Sequence, residues 1–119
     1  MDVESTQTDM TREALVVLCT CPDEDSAARI ARALVESGTC ACVSRVPGVR
    51  SMYKWEGQVL DEAEVLLIIK TLASAYPGLE QRLQALHPYQ TPEILALPVR
   101  AGAPGYLSWL QTVLHETSD

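Results

Sequence analysis

Phenylalanine is absent from this chain, basic residues are few, and no hydrophobic run is long. Each shortage excludes a class of function. A membrane-spanning helix needs about 20 consecutive apolar residues, and the apolar runs here stay near strand length. Nine Lys and Arg against 16 Asp and Glu leave a net charge of −7, so nucleic-acid phosphates are repelled over most of the surface. The same charge is unhelpful at an anionic membrane. RNA binding through a sheet face is disfavoured again, because there is no Phe to stack on bases and no basic face. Residues 1–12 have neither a basic start nor an apolar stretch, so they do not read as a secretory signal. Asp2, Glu4 and Asp9 among Ser, Thr and Gln make that segment too polar to fold alone. It is expected to be a disordered leader before a single domain over residues 13–119, in a cytoplasmic protein.

What is present is a regular succession of elements. Ala14 to Thr20 is a continuous Val- and Leu-rich run, expected of a strand covered on both sides. Cys21-Pro22 stops it, and Pro22 with Asp23-Glu24-Asp25 suits the first turn of a helix. Ala27, Ile30, Ala31, Leu34 and Val35 repeat at helical spacing, and Gly38 stands where a C-terminal cap belongs. A second strand runs from Cys40 through Pro47-Gly48 towards Trp55, with Val49, Ser51, Tyr53 and Trp55 on one face. Glu56-Gly57 reads as a hairpin turn. The return strand spans Gln58 to Thr71. A helix follows over Ser74 to Leu86, with Pro77 in its first turn, and His87-Pro88 ends it. Ile94 to Val99 is a short strand whose Pro98 indicates a sheet edge or strand end. Tyr106, Trp109, Leu110, Val113 and Leu114 mark a closing amphipathic helix.

The order β-α-β-β-α-β plus a helix predicts an α+β, ferredoxin-like sandwich. Right-handed crossovers give the strand order 4-1-3-2, with the crossover helices on one face. That topology sorts the four cysteines. Cys19 and Cys21 lie where the first strand ends, and Cys40 and Cys42 where the second begins, about 20 Å apart across the sheet. Four thiolates on one zinc, at bonds of about 2.3 Å, are therefore excluded within one subunit, and Cys40 and Cys42 read as small buried hydrophobes. In a reducing compartment no disulfide framework is expected. The second helix returns His87 to the edge where Cys19 sits. A Cys/His pair there suits a soft-donor copper or zinc site; a histidine capping its own helix is the competing reading. A Cys–His nucleophilic couple lacks nameable oxyanion donors or an orienting residue.

The hairpin is the strongest physical oddity. From Cys40 to Trp55 is far beyond the usual five or six residues of a strand, so at about 3.3 Å per residue it overhangs the domain. A ribbon carrying Met52, Tyr53 and Trp55 is expected to pack on another copy of itself; folding back over its own sheet edge is the alternative.

These residues resemble the CutA family of divalent-cation tolerance proteins. The resemblance is carried by Val16-Val17-Leu18-Cys19-Thr20 with Pro22-Asp23-Glu24, by Ala41-Cys42-Val43 leading to Pro47-Gly48, and by Ser51-Met52-Tyr53-Lys54-Trp55-Glu56-Gly57. It continues through Glu64, Ile69-Lys70-Thr71, His87-Pro88-Tyr89-Gln90-Thr91-Pro92-Glu93 and Tyr106-Leu107-Ser108-Trp109-Leu110. It implies a ferredoxin-like subunit in a very stable homotrimer, whose long strands pair across subunit boundaries. It also implies binding of copper (Cu2+) or other divalent cations, association with metal tolerance, and no enzymatic activity. Cys19 and His87 carry over as metal ligands, whereas Leu86 stands where the family has a further histidine. Tyr53, Trp55, Glu64, Lys70, Tyr89 and Glu93 match positions lining clefts between subunits. Those clefts also suit a small polar metabolite, as in the similarly built PII sensors. A hydrolase of the acylphosphatase type on the same fold would want an Arg in the loop after the first strand, and that loop, Cys21 to Asp25, is acidic.

Overall fold

The computed structural model describes residues 12–117. The expected leader lies, apart from Arg12, outside the described residues. The elements follow the order β1 (Ala14–Cys21), α1 (Glu24–Ser37), β2 (Cys42–Trp55), β3 (Gln58–Leu72), α2 (Tyr76–Leu86), β4 (Leu95–Pro98) and α3 (Pro104–Thr117). The four strands form one sheet in the order β2-β3-β1-β4, the ferredoxin-like arrangement expected. Its neighbouring strands are all antiparallel. Pro98 indeed ends an edge strand, paired only with β1.

Alternation along each strand divides the sheet into two unlike faces. Val17, Cys19 and Cys21 of β1 and Val65, Leu67 and Ile69 of β3 point one way and meet Ile30 and Leu34 of α1 and Leu79 and Leu83 of α2. This is the main core. The alternate residues Val16, Leu18, Leu66 and Ile68 point the other way and stay only half-buried. There α3 covers one end alone, packing Leu110 and Leu114 on Ala14, Ala41 and Leu72. Tyr106 and Trp109, expected on the buried stripe of that helix, are exposed instead and pack on each other, ring centroids 5.6 Å apart.

Local chemistry sets the ends. Asp23 is the cap of α1 rather than part of its first turn: its Oδ1 accepts from the Ser26 N–H at 2.8 Å. Gly38 closes α1 at φ +77, a left-handed conformation that costs an L side chain but not glycine. The ribbon turns at Glu56 and Gly57, with φ of +50 and +77, two consecutive positive angles of the kind that match hairpin twist. At Pro47-Gly48 the strand is bulged: pairing passes from Val46 opposite Leu66 to Val49 opposite Glu64. Two β2 residues there face one of β3, which inverts the alternation. Cys42, Ser44 and Val46 before the bulge therefore share a face with Val49, Ser51 and Tyr53 after it. The paired strands run on past the end of β1 as a bare ribbon, in a molecule of 54 × 28 × 23 Å.

Candidate metal centre

The end of β1 is where the chemistry gathers. Cys19 and Cys21 are two residues apart on a strand, so both side chains enter the helix-covered face, and both are 0% exposed. His87 caps the C-terminus of α2, its N–H bonded to the Leu83 carbonyl at 2.9 Å. α2 runs back along the sheet and delivers the imidazole to the end of β1. The ligating atoms of Cys19, Cys21 and His87 all lie within 4.8 Å of one another, in the one such three-donor group among the described residues. Donors on one ion with bonds of about 2.0–2.3 Å sit at most about 4.6 Å apart. The donor set thus fits a soft metal with sub-ångström closure.

The imidazole is fully engaged by its own chain. Its Nε2 lies 2.7 Å from the Thr20 carbonyl oxygen, which only accepts, so Nε2 carries the hydrogen. The Tyr89 N–H donates to Nδ1 at 3.1 Å, so Nδ1 holds the lone pair. The rings of His87 and Tyr89 stack at 4.8 Å and 45°. Beyond them the Tyr89 hydroxyl donates to Glu64 Oε2 at 2.8 Å, and Glu64 is only 9% exposed. Arg29 Nη1 reaches the Leu86 carbonyl at 3.5 Å, leaving a guanidinium at the rim.

The thiols influence each other. A hydrogen bond to Cys21 raises the Cys19 thiol far above its usual range, helped by burial and by Cys21, Glu93 and Glu64. The same hydrogen bond lowers Cys21, against burial. Burial also pushes Cys40 up to about 12, as a small buried hydrophobe would behave. The Tyr89 hydroxyl is raised by burial first and by Glu64 second.

The structure joins some of the predicted residues and separates others. Cys19 and His87 meet as expected, and the third group beside them is Cys21, the last residue of β1. Its signal was the C-x-C spacing, which on a strand puts both thiols on one face. Leu86 lies in the last turn of α2, with the Arg29 contact made to its backbone. Cys40 is buried in the core and takes no part. Cys42 pairs with Lys70, which pairs with Val16, so Cys42 lies about 14 Å from Cys19 and on the other face. That is closer than the 20 Å estimated from strand ends, yet still excludes a shared ion. Of the expected cleft residues, Glu64 and Tyr89 bond directly. Tyr53 donates to Glu62, a carboxylate the sequence reading passed over, and Glu93 lies close enough to bear on Cys19. Lys70, whose Nζ donates to Ser44 Oγ at 2.7 Å, stands six residues from Glu64, about 20 Å along β3. Trp55 sits at the ribbon tip opposite Gln58. Within this chain these six do not form one pocket.

Comparison with known proteins places the chain in a family. Residues 15–113 match the family described as CutA1 divalent ion tolerance protein. The divalent-cation tolerance protein CutA of Thermus thermophilus is 51% identical over 96 residues, covering 81% of this chain and 93% of that one. That of Pectobacterium atrosepticum is 45% identical over 103 residues, covering 87% and 94%. Among solved structures, CutA1 from Oryza sativa is 40% identical with a TM-score of 0.84, covering 88% and 96%. The periplasmic divalent cation tolerance protein CutA from Archaeoglobus fulgidus is 31% identical with a TM-score of 0.82, covering 85% and 98%. A match over the whole folded domain, on the same topology, means that this chain belongs to the CutA1 divalent ion tolerance family.

Proposed function

We propose that this chain is the subunit of a homotrimer that binds metal cations at the Cys19–Cys21–His87 knot, copper foremost, and serves metal-ion tolerance without catalysis. The carrying observation is the donor set itself: two thiols and an imidazole, all buried, with ligating atoms within 4.8 Å of one another. Thiolate and imidazole donors suit copper and zinc and are poor ligands for magnesium or calcium. The names of the relatives, divalent-cation tolerance proteins, support the biological setting. A non-catalytic role is supported by the burial of both thiols, which are 0% exposed in the main core and out of a substrate's reach. A cytoplasmic setting is supported by the free state of all four cysteines, and no helix among the described residues is long and apolar enough to cross a membrane. The Archaeoglobus relative, by contrast, is called periplasmic.

Assembly is supported by the uncovered apolar surface. Leu95, Leu97 and Val46 are exposed on the open face, and Met52 and Trp55 of the ribbon are 69% and 61% exposed. Copies of the chain, paired ribbon to sheet, would bury them, as the family resemblance implies. The acidic and aromatic groups at the ribbon root, Tyr53, Glu62, Glu64 and Tyr89, favour a second reading in which a small polar metabolite binds a cleft completed by a neighbouring subunit. That reading predicts ligand-dependent stabilisation without metal.

Equilibrium dialysis against copper and zinc tests the metal reading. Uptake by the wild type and its loss in Cys19→Ala are expected; a wild type that retains neither metal rejects it.

A further inference from the structure

We infer that Cys19 and Cys21 are the metal-holding pair, a two-thiolate clamp for copper(I), and that His87 is a positioning residue rather than a ligand. The inference rests on the proposed function, because it presupposes that the knot takes a metal, and it narrows the donors there from three groups to the two thiols.

Three observations carry it. The first is the strand. Residues two apart on β1 present both sulfurs to one side, and β1 is held by β3 through Cys21 opposite Val65. The sulfurs lie within 4.8 Å of each other, whereas a metal between two thiolates at about 2.3 Å each spans about 4.6 Å. Side-chain rotation alone closes that gap, with the backbone unmoved. The second is the imidazole. Nε2 is committed to the Thr20 carbonyl at 2.7 Å and Nδ1 to the Tyr89 N–H at 3.1 Å. To become a ligand the ring must either free Nδ1 from the Tyr89 N–H, or free Nε2 from the Thr20 carbonyl and move its hydrogen to Nδ1, which loses both bonds. It would then also disturb Tyr89, which Glu64 holds at 2.8 Å. Left as it is, His87 ties α2 to the strand and walls the pair from solvent. The third is the surroundings. The pair lies in the main core with Val65, Leu67 and Leu83, an apolar site where paired soft thiolates select copper(I) over harder cations.

Binding balances without any change of oxidation state. Two S–H bonds release their protons to solvent, two S–Cu bonds form, and the clamp is left with one negative charge. The Arg29 guanidinium, which lowers Cys21 electrostatically, is the compensating cation, against the nearby carboxylates of Glu64 and Asp23.

The test is an oxygen-free copper(I) titration of the full chain against a chromophoric copper(I) chelator, with X-ray absorption at the copper edge. One copper per chain, two protons released per copper and sulfur-only ligation are expected. Cys19→Ala and Cys21→Ala should each weaken binding by more than about 100-fold, since loss of an outer-sphere partner alone costs about 10–100-fold. His87→Gln, whose amide can both donate and accept, should change it by less than about tenfold. Imidazole scattering in the wild-type spectrum, or a loss in His87→Gln as large as in the cysteine variants, overturns the inference and leaves the metal knot standing. No copper(I), copper(II) or zinc uptake by the wild type overturns both. Where a cysteine variant fails to fold, the wild-type spectrum and proton count decide.

Discussion

One sheet carries two faces of different fate, and neighbouring residues on the same strand show it. Leu67 and Ile69 of β3 are 0% exposed beneath α1 and α2, while Leu66 and Ile68 beside them are only half-buried. The sequence is nearly as apolar on one side as on the other, yet only one side has helices enough to cover it. A large apolar face left open normally marks an interface. The covered face holds the chain together and houses the knot; the open face and the ribbon leave apolar side chains uncovered, the surface on which the proposed trimer rests.

Substitutions on alternate residues would break that contrast most sharply. Leu67→Ala should lower stability by about 2–5 kcal/mol, measured by guanidinium unfolding, with a folded fraction that falls at every protein concentration. Ile68→Asp, one residue on, should leave the secondary structure intact but reduce the native mass to that of one chain. Equal unfolding by both would erase the distinction between the faces. His87→Ala should cost about 1–3 kcal/mol, because the Thr20 carbonyl and the Tyr89 N–H lose their partner; an unchanged melting temperature would contradict the strut. At the ribbon, Gly57→Ala meets no steric neighbour but must adopt φ +77, so a cost of about 1 kcal/mol is expected from backbone strain alone.

The smallest effect is at the edge of the covered face. The Ser26 backbone hydrogen bond lowers the Asp23 carboxyl from its ordinary 3.8. A depressed folded-state pKa contributes stability above the unfolded value and loses it as pH falls through the folded one. The stability difference between wild type and Asp23→Ala should therefore be steady near neutrality, begin to shrink near pH 3.8 and be lost as pH falls through the lower folded-state value. A difference persisting in strong acid would contradict the capping role.

Much of this was legible in the residues. The apolar run of β1, the helical spacing of α1 with Gly38 at its end and the Glu56-Gly57 turn are local signals, and local physics placed them within a residue or two. The strand order followed from handedness, and it brought His87 to Thr20 at the end of β1, beside Cys19, across 67 residues of sequence separation. Three things were not legible as read. Cys21 looked like punctuation because Pro22 follows it, although strand alternation pointed it beside Cys19. The face shared by residues on either side of Pro47-Gly48 depends on the bulge there; the Pro-Gly pair marks an irregularity, but not that one extra residue reverses the alternation. Tyr106 and Trp109 fit the amphipathic stripe of α3, but the helix has only one end of the sheet to lie on, so part of its apolar face stays uncovered.

The central claim, a trimer with a metal in each knot, meets its most direct test in a native mass spectrum of the full chain after oxygen-free copper(I) loading. Three chains carrying three copper ions are predicted, with the copper lost and the three-chain mass kept in Cys21→Ala. A single chain at micromolar concentration, or a trimer that carries no copper, would contradict the account.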